Sequence, residues 1–232
     1  MRTRALGPLL RSAAILLAAG TGCLASEPGQ PAASVTLKAL PRPLAWMNQP
    51  LAFQVLGADA LAITAAKGTD LYPSDGKLNA TAPMLLFPAD GSFVLTVQAR
   101  VDFGKEFDGG FLVAYADEQH WAKLLFEKSH YGPPSVCSAV TKGEVDDCVN
   151  GDIVGNTVWL RMTRNGDEMA FYDSLDGKRW TYVRLFKVPH QGPLRIGFAS
   201  QAPVSGQCRT VFSHISYSPK PPADFWSGAP AQ

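Results

Sequence analysis

Residues 120–128, His-Trp-Ala-Lys-Leu-Leu-Phe-Glu-Lys, carry the clearest pattern in the chain. Read with a period of two, Ala122, Leu124 and Phe126 point one way, and Trp121, Lys123, Leu125 and Glu127 point the other. The pattern predicts a strand with one side in a core and one side, bearing an indole, an ammonium and a carboxylate, turned toward something polar. The same alternation recurs in Phe93, Leu95, Val97, Ala99 and Val101, in Val158, Leu160 and Met162, and in Val211, Ser213, Ile215 and Tyr217. Turn signals separate these runs: Ser74-Asp75-Gly76, Ala89-Asp90-Gly91, Asp108-Gly109-Gly110, Asn165-Gly166-Asp167 and Asp176-Gly177-Lys178. Asn165-Gly166 between two alternating runs is the strongest hairpin signal. Glycine and proline punctuate the chain too often for long helices. About a dozen strands at this spacing predict a two-sheet antiparallel sandwich over residues 41–218.

The ends read differently. Arg2, Arg4 and Arg11 accompany the short apolar run Ala13–Ala19, which exits into small residues. This is the form of a secretory signal over 1–25, too short to span a membrane as a helix. Two exits are open. Cleavage after Ala25 discards Cys23, whereas Gly20-Thr21-Gly22-Cys23 resembles a lipobox that would leave Cys23 lipidated at the new N-terminus. Residues 26–40 read as a spacer and 219–232 as a Pro-rich tail, in which Phe225 and Trp226 either dock on the domain or form an exposed stub. The predicted location is therefore periplasmic or extracellular, with the membrane reached only through an N-terminal lipid.

Charge narrows the partners. The chain has 21 Lys+Arg and 20 Asp+Glu, and loss of the three leader arginines leaves a net charge of −2. That is no footprint for nucleic acid. Export permits disulfides. If Lys142-Gly143 is a two-residue loop, Thr141 faces Glu144 and Cys137 falls directly opposite Cys148. Such a pair has Cα atoms about 5.5 Å apart, which a disulfide accepts. Cys208 is then left over as a buried thiol.

Several spaced residues resemble one family: Trp46-Met47-Asn48-Gln49-Pro50, Gly68-Thr69-Asp70-Leu71-Tyr72, Phe107-Asp108-Gly109-Gly110, Trp121-x-Lys123-x-x-x-Glu127, Val140-Thr141, Trp159-Leu160-Arg161, Ser174-x-Asp176-Gly177-x-x-Trp180 and Arg184. Their order is similar to the bacterial YesU-like family of concanavalin A-like domains, also labelled "regulation of enolase protein 1". The resemblance spans about residues 44–218. It implies a jelly-roll β-sandwich whose concave sheet, in related lectins and glucanases, holds sugars. Where Ser-Asp-Trp usually follows the Val-Thr hairpin, this chain has Val145-Asp146-Asp147-Cys148.

Trp121, Lys123 and Glu127 share a strand face and suit a saccharide: an indole lies against the C–H face of a pyranose while the charged groups bond its hydroxyls. The structural alternative pairs Lys123 or Glu127 with a neighbour such as Arg161, with Trp121 capping the sandwich. Asp70 either holds a ligand or caps its own turn. Arg161, beside Trp159, either binds a carboxylated sugar or closes a salt bridge. A glycosidase needs two carboxyl groups about 5–9 Å apart. Glu127 stands alone on its strand face, and the nearby Lys123 is expected to lower its pKa and spoil it as a proton donor; Glu127 with Asp70 is the remaining pairing. The loop Glu144, Asp146, Asp147 and Asp152 is either a calcium site or a solvated loop. No spacing of His120, His130, His190 and His214 or of the cysteines indicates a metal centre or another cofactor.

The sequence thus predicts an exported, non-catalytic carbohydrate-binding module for oligo- or polysaccharides, with Trp121, Lys123, Glu127, Arg161 and Asp70 as contacts. The alternatives are a glycoside hydrolase or lyase using Glu127, and a structural or protein-binding module of the cell envelope.

Overall fold

The computed structural model describes residues 34–74, 76–130 and 132–231. The leader, both of its exits at Cys23 and Ser26, and the spacer as far as Ala33 lie outside the described residues. Among them the chain forms only strands, turns and bridges. In order these are β1 Ala45–Met47, β2 Ala52–Gly57, β3 Ala60–Ala66, β4 Leu71–Ser74, β5 Lys77–Ala80, β6 Met84–Pro88, β7 Phe93–Asp102, β8 Gly109–Asp117, β9 His120–Lys128, β10 Pro134–Lys142, β11 Val145–Asp152, β12 Thr157–Asn165, β13 Glu168–Ser174, β14 Thr181–Phe186, β15 Arg195–Gln201 and β16 Gln207–Ser218.

Two seven-stranded antiparallel sheets build a jelly-roll sandwich. The first runs β1-β6-β15-β8-β9-β10-β11 and the second β14-β13-β12-β7-β16-β3-β2; β4 and β5 form a separate hairpin. The alternation read from the sequence decides which side chains lie between the layers. Ala122, Leu124 and Phe126 of β9, Leu95 and Val97 of β7, and Leu160 and Met162 of β12 belong to one buried cluster. Leu37 and Leu40, expected in the spacer, are buried in the same core, and Val35 bridges Leu44. The packed domain therefore begins before residue 41.

The outer face of the first sheet carries a second apolar cluster that the sequence did not anticipate. Trp121, Leu125, Phe111, Val113 and Tyr115 pack there with Leu71, Ala82 and Met84, and Leu78 and Ala80 of the β4–β5 hairpin lie against them. The hairpin thus covers the middle of a face expected to meet solvent. The result is β9 buried on both sides through most of its length.

The β10–β11 turn differs from expectation by one residue. Thr141 faces Val145 rather than Glu144, so the loop is Lys142-Gly143-Glu144, with Gly143 at φ +94°. A single-residue slip moves every following side chain to the other face. Cys137 consequently faces Val149, Cys148 faces Ser138, and the two cysteines sit on opposite faces as free thiols. The predicted Cys137–Cys148 disulfide is corrected on this ground. The β12–β13 hairpin forms, with Asn165 facing Glu168 across Gly166-Asp167.

The tail folds back on the second sheet as a closed loop. Pro222 bridges Pro230, and Asp224 accepts hydrogen bonds from the amides of Trp226 and Ser227. Tyr172 donates its hydroxyl to the Phe225 carbonyl at 2.7 Å. Gly228, at φ +58°, lies so close to the Tyr172 ring that an added Cβ would fall 2.6 Å from it. Trp226 itself remains 80% exposed.

Candidate functional site

Where the β4–β5 hairpin stops covering the outer face, the first sheet opens into a cleft of about 470 Å³. Sheet register builds its floor in rows. Gln201 of β15, Gly109 of β8, Glu127 of β9 and Ser135 of β10 lie side by side across four strands. The next row holds Phe111, Leu125, Cys137 and Val149, and the one after it Val113, Lys123, Ala139 and Asp147. Gly109 matters here because it stands between Gln201 and Glu127. A Cβ there would lie 2.6 Å from Leu125 Cδ1 and 2.8 Å from the Phe126 carbonyl oxygen. Its bare position lets the Gln201 amide cross the intervening strand and donate to Glu127 Oε2 at 3.2 Å.

Gln201, fully sequestered, ties the site together. Its Nε2 also donates to the Phe107 carbonyl at 2.9 Å, and its Oε1 accepts from Lys123 Nζ at 3.1 Å. Lys123 is buried, 3.7 Å from Asp70 Oδ1, and its ammonium lies over the Phe111 and Tyr72 rings. Asp70 Oδ1 accepts from the Leu71 amide at 2.7 Å, and the Asp70 carbonyl accepts from Thr81 and Ala82. Asp70 therefore both fixes the base of the hairpin and neutralises the buried lysine. Tyr72, two residues further along the hairpin, lines the cleft with Asp147 of β11.

The electrostatics reverse one expectation. Burial pushes the Glu127 carboxyl up to about 7, with Asp70 and Asp147 reinforcing the rise and Lys123 only opposing it. Desolvation outweighs the attraction of the ammonium, and Lys123 is itself engaged by Asp70 and the Gln201 oxygen. Burial likewise raises Asp70, against the pull of Lys123. Glu127 Oε1 faces the Cys137 thiol at 4.0 Å, and burial lifts that thiol to about 12, so it is no nucleophile near neutral pH.

The mouth carries an aromatic pair. Phe107 has φ +67°, is 38% exposed, and stacks on His130 with ring centroids 5.5 Å apart and planes 9° from parallel. The following Asp108 is buried and fixes this turn. Its Oδ2 accepts from the Gly104 and Lys105 amides and its Oδ1 from the Ser205 hydroxyl.

Of the residues expected as contacts, the fold brings Asp70, Lys123 and Glu127 to this cleft. Trp121, two residues from Lys123 on the same strand face, is 0% exposed in the second apolar cluster, with its Nε1 unpaired. The hairpin seals it. Arg161 lies on the outer face of the other sheet, 9% exposed beneath the tail. It donates to Thr96 Oγ1 and the Gly228 carbonyl and sits 3.7 Å from the Trp180 ring centroid; burial depresses its pKa to about 10. The acidic residues considered for calcium diverge: Asp146 pairs with Arg184, Asp147 lines the cleft, and Asp152 accepts from Ser135. No group of three or more metal-ligating side chains converges among the described residues. Phe107 and Gln201 were not read as site residues, and Cys137 and Asp147 were read only for a disulfide and a calcium loop, not for this cleft. The one available signal was Phe107-Asp108-Gly109-Gly110, two glycines directly after an aromatic and an acid.

The fold is similar to that of a functionally unknown protein from Saccharomyces cerevisiae, at 22% identity and TM-score 0.69, covering 75% of this chain and 95% of that one. It is also similar to part of the GH43 protein BlXynB from Bacillus licheniformis, at 12% identity and TM-score 0.55, covering 70% of this chain and 37% of that one. The xylan beta-1,4-xylosidase from Bacillus halodurans C-125 is a further match, at 14% identity and TM-score 0.52, covering 68% of this chain and 32% of that one. At these identities the likeness is one of fold, and the chain spans about a third of the two Bacillus proteins. No curated protein sequence matches it. The family model described as "Protein of unknown function (DUF1349)" matches residues 46–220, most of the sequence, and the chain belongs to that family.

Proposed function

We propose that this is an exported carbohydrate-binding domain whose ligand, an oligo- or polysaccharide, seats in the Glu127 cleft. One observation carries the reading: carboxyl, amide and aromatic groups from four separate segments (Asp70-Tyr72, Phe107, Glu127 and Gln201) converge on one open concavity. Hydroxyl-rich rings need that mixture of directional polar partners and flat apolar walls. The shared fold of the two Bacillus proteins, one described as a xylosidase, and the motif resemblance to YesU-like domains support it. Glycan-array binding followed by calorimetry tests it: Glu127→Gln and Gln201→Ala should each weaken binding at least tenfold, and unchanged binding in both would refute the reading.

A second reading has its own observation. Glu127 holds a proton near neutrality while Asp70 and Asp147 line the same cleft. That is the pairing a glycoside hydrolase or lyase uses. Release of reducing ends from polysaccharides, abolished in Glu127→Gln with binding retained, would establish it; binding without turnover would leave the non-catalytic role.

A further inference from the structure

Phe107 combines two costs that the fold does not require. Its φ of +67° lies in the left-handed region, which disfavours any residue with a Cβ. Its ring is exposed at the cleft mouth instead of joining either apolar cluster. The backbone there is held from both sides: the Phe107 amide donates to the Lys128 carbonyl at 2.8 Å, and the Phe107 carbonyl accepts from Gln201. Glycine would satisfy both bonds without strain. The ring is therefore the feature retained; it stacks on His130, and both rings line the cleft.

The charges around it select among saccharides. Asp70, Glu127 and Asp147 line the cleft with Lys123 as the buried cation, and Lys123 is engaged by Asp70 and Gln201. A carboxylate on the ligand would find the ammonium already taken and would lie among the acidic side chains of Asp70 and Asp147.

We propose that Phe107 is the stacking platform of the cleft and that its ligand is an uncharged saccharide unit with a flat C–H face, uronate-bearing glycans being rejected. This rests on the saccharide reading above and deepens it.

The test compares neutral with uronic-acid-containing glycans on an array, followed by calorimetry with wild type, Phe107→Gly, Phe107→Asn and Glu127→Gln. Asparagine keeps access to the left-handed backbone without the ring. Neutral glycans should be retained, uronate glycans at least tenfold more weakly. Both Phe107 variants should lose at least tenfold in affinity, while Phe107→Gly melts at or above the wild-type temperature. Three results overturn the proposal alone: affinity kept in both Phe107 variants but lost in Glu127→Gln, uronates bound as tightly as neutral glycans, or Phe107→Gly melting well below wild type. Absence of binding to every glycan would overturn the saccharide reading and this inference with it.

Discussion

Replacing Glu127 by glutamine separates two opposite accounts of its charge. In the folded protein the carboxyl is raised from 4.5 to about 7, chiefly by burial. Below about pH 4.5 both folded and unfolded chains carry the proton, and its contribution to stability is fully present. As pH rises toward 7 the unfolded chain releases the proton first, so wild type loses stability through that window and the loss is complete above it. At about 1.4 kcal/mol per pH unit the loss is roughly 3 kcal/mol, or nearer ~1–2 kcal/mol where water screens the oxygen facing the cleft. Glutamine keeps the shape and still accepts from Gln201 but has no proton to lose. Urea unfolding of wild type and Glu127→Gln at pH 5, 6, 7 and 8 reads the difference directly, and the pairing cancels titrations common to both. The variant should gain on wild type from pH 5 to pH 7, and the gap should level off by pH 8. A constant gap would refute the argument from burial. A gap moving the other way, with wild type gaining as pH rises, would mean that Lys123 holds Glu127 ionised after all.

Other consequences are more local. Trp121→Ala should cost about 3–5 kcal/mol by opening a cavity under the hairpin, whereas Trp121→Phe, which also removes the unpaired Nε1, should cost much less in the same unfolding assay. Gly110→Ala should destabilise by at least ~1–3 kcal/mol, because its Cβ would fall 2.2 Å from Thr210 Cγ2, and thermal melting checks this. Arg161→Ala should leave glycan affinity unchanged but speed hydrogen exchange across residues 221–231, since the Gly228 carbonyl loses its donor. Thiol titration of the denatured protein, purified under air, should find Cys137 and Cys148 both free.

What the chain disclosed in advance was governed by local rules, and what it hid depended on distant partners. The period-two runs placed the inner core, because Ala122, Leu124 and Phe126 can face only one side of a pleated strand. Trp121 looked equally well placed for solvent, yet the cover that seals it comes from Leu71 and its neighbours, some fifty residues earlier in the chain. The β10–β11 register rested on the length of one loop, and a third loop residue separated the cysteines. Glu127 and Lys123 were visible together on β9, but the net direction of the Glu127 shift was set by burial, with Asp70 and Asp147 adding to it, none of which strand spacing encodes. Arg161 shared a motif with Trp159, and only the sandwich topology shows that this face belongs to the other sheet. Phe107 escaped because a strained φ leaves no mark on the pattern of apolar positions.

The most direct test is amide chemical-shift mapping of the ¹⁵N-labelled protein on addition of a glycan that it binds. The account predicts saturable shifts at Asp70, Tyr72, Phe107, Glu127, Cys137 and Gln201, the groups bordering the cleft on the first sheet. Shifts gathered instead around Trp159, Trp180 and Trp226 on the second sheet, with the Glu127 cleft silent, would contradict it.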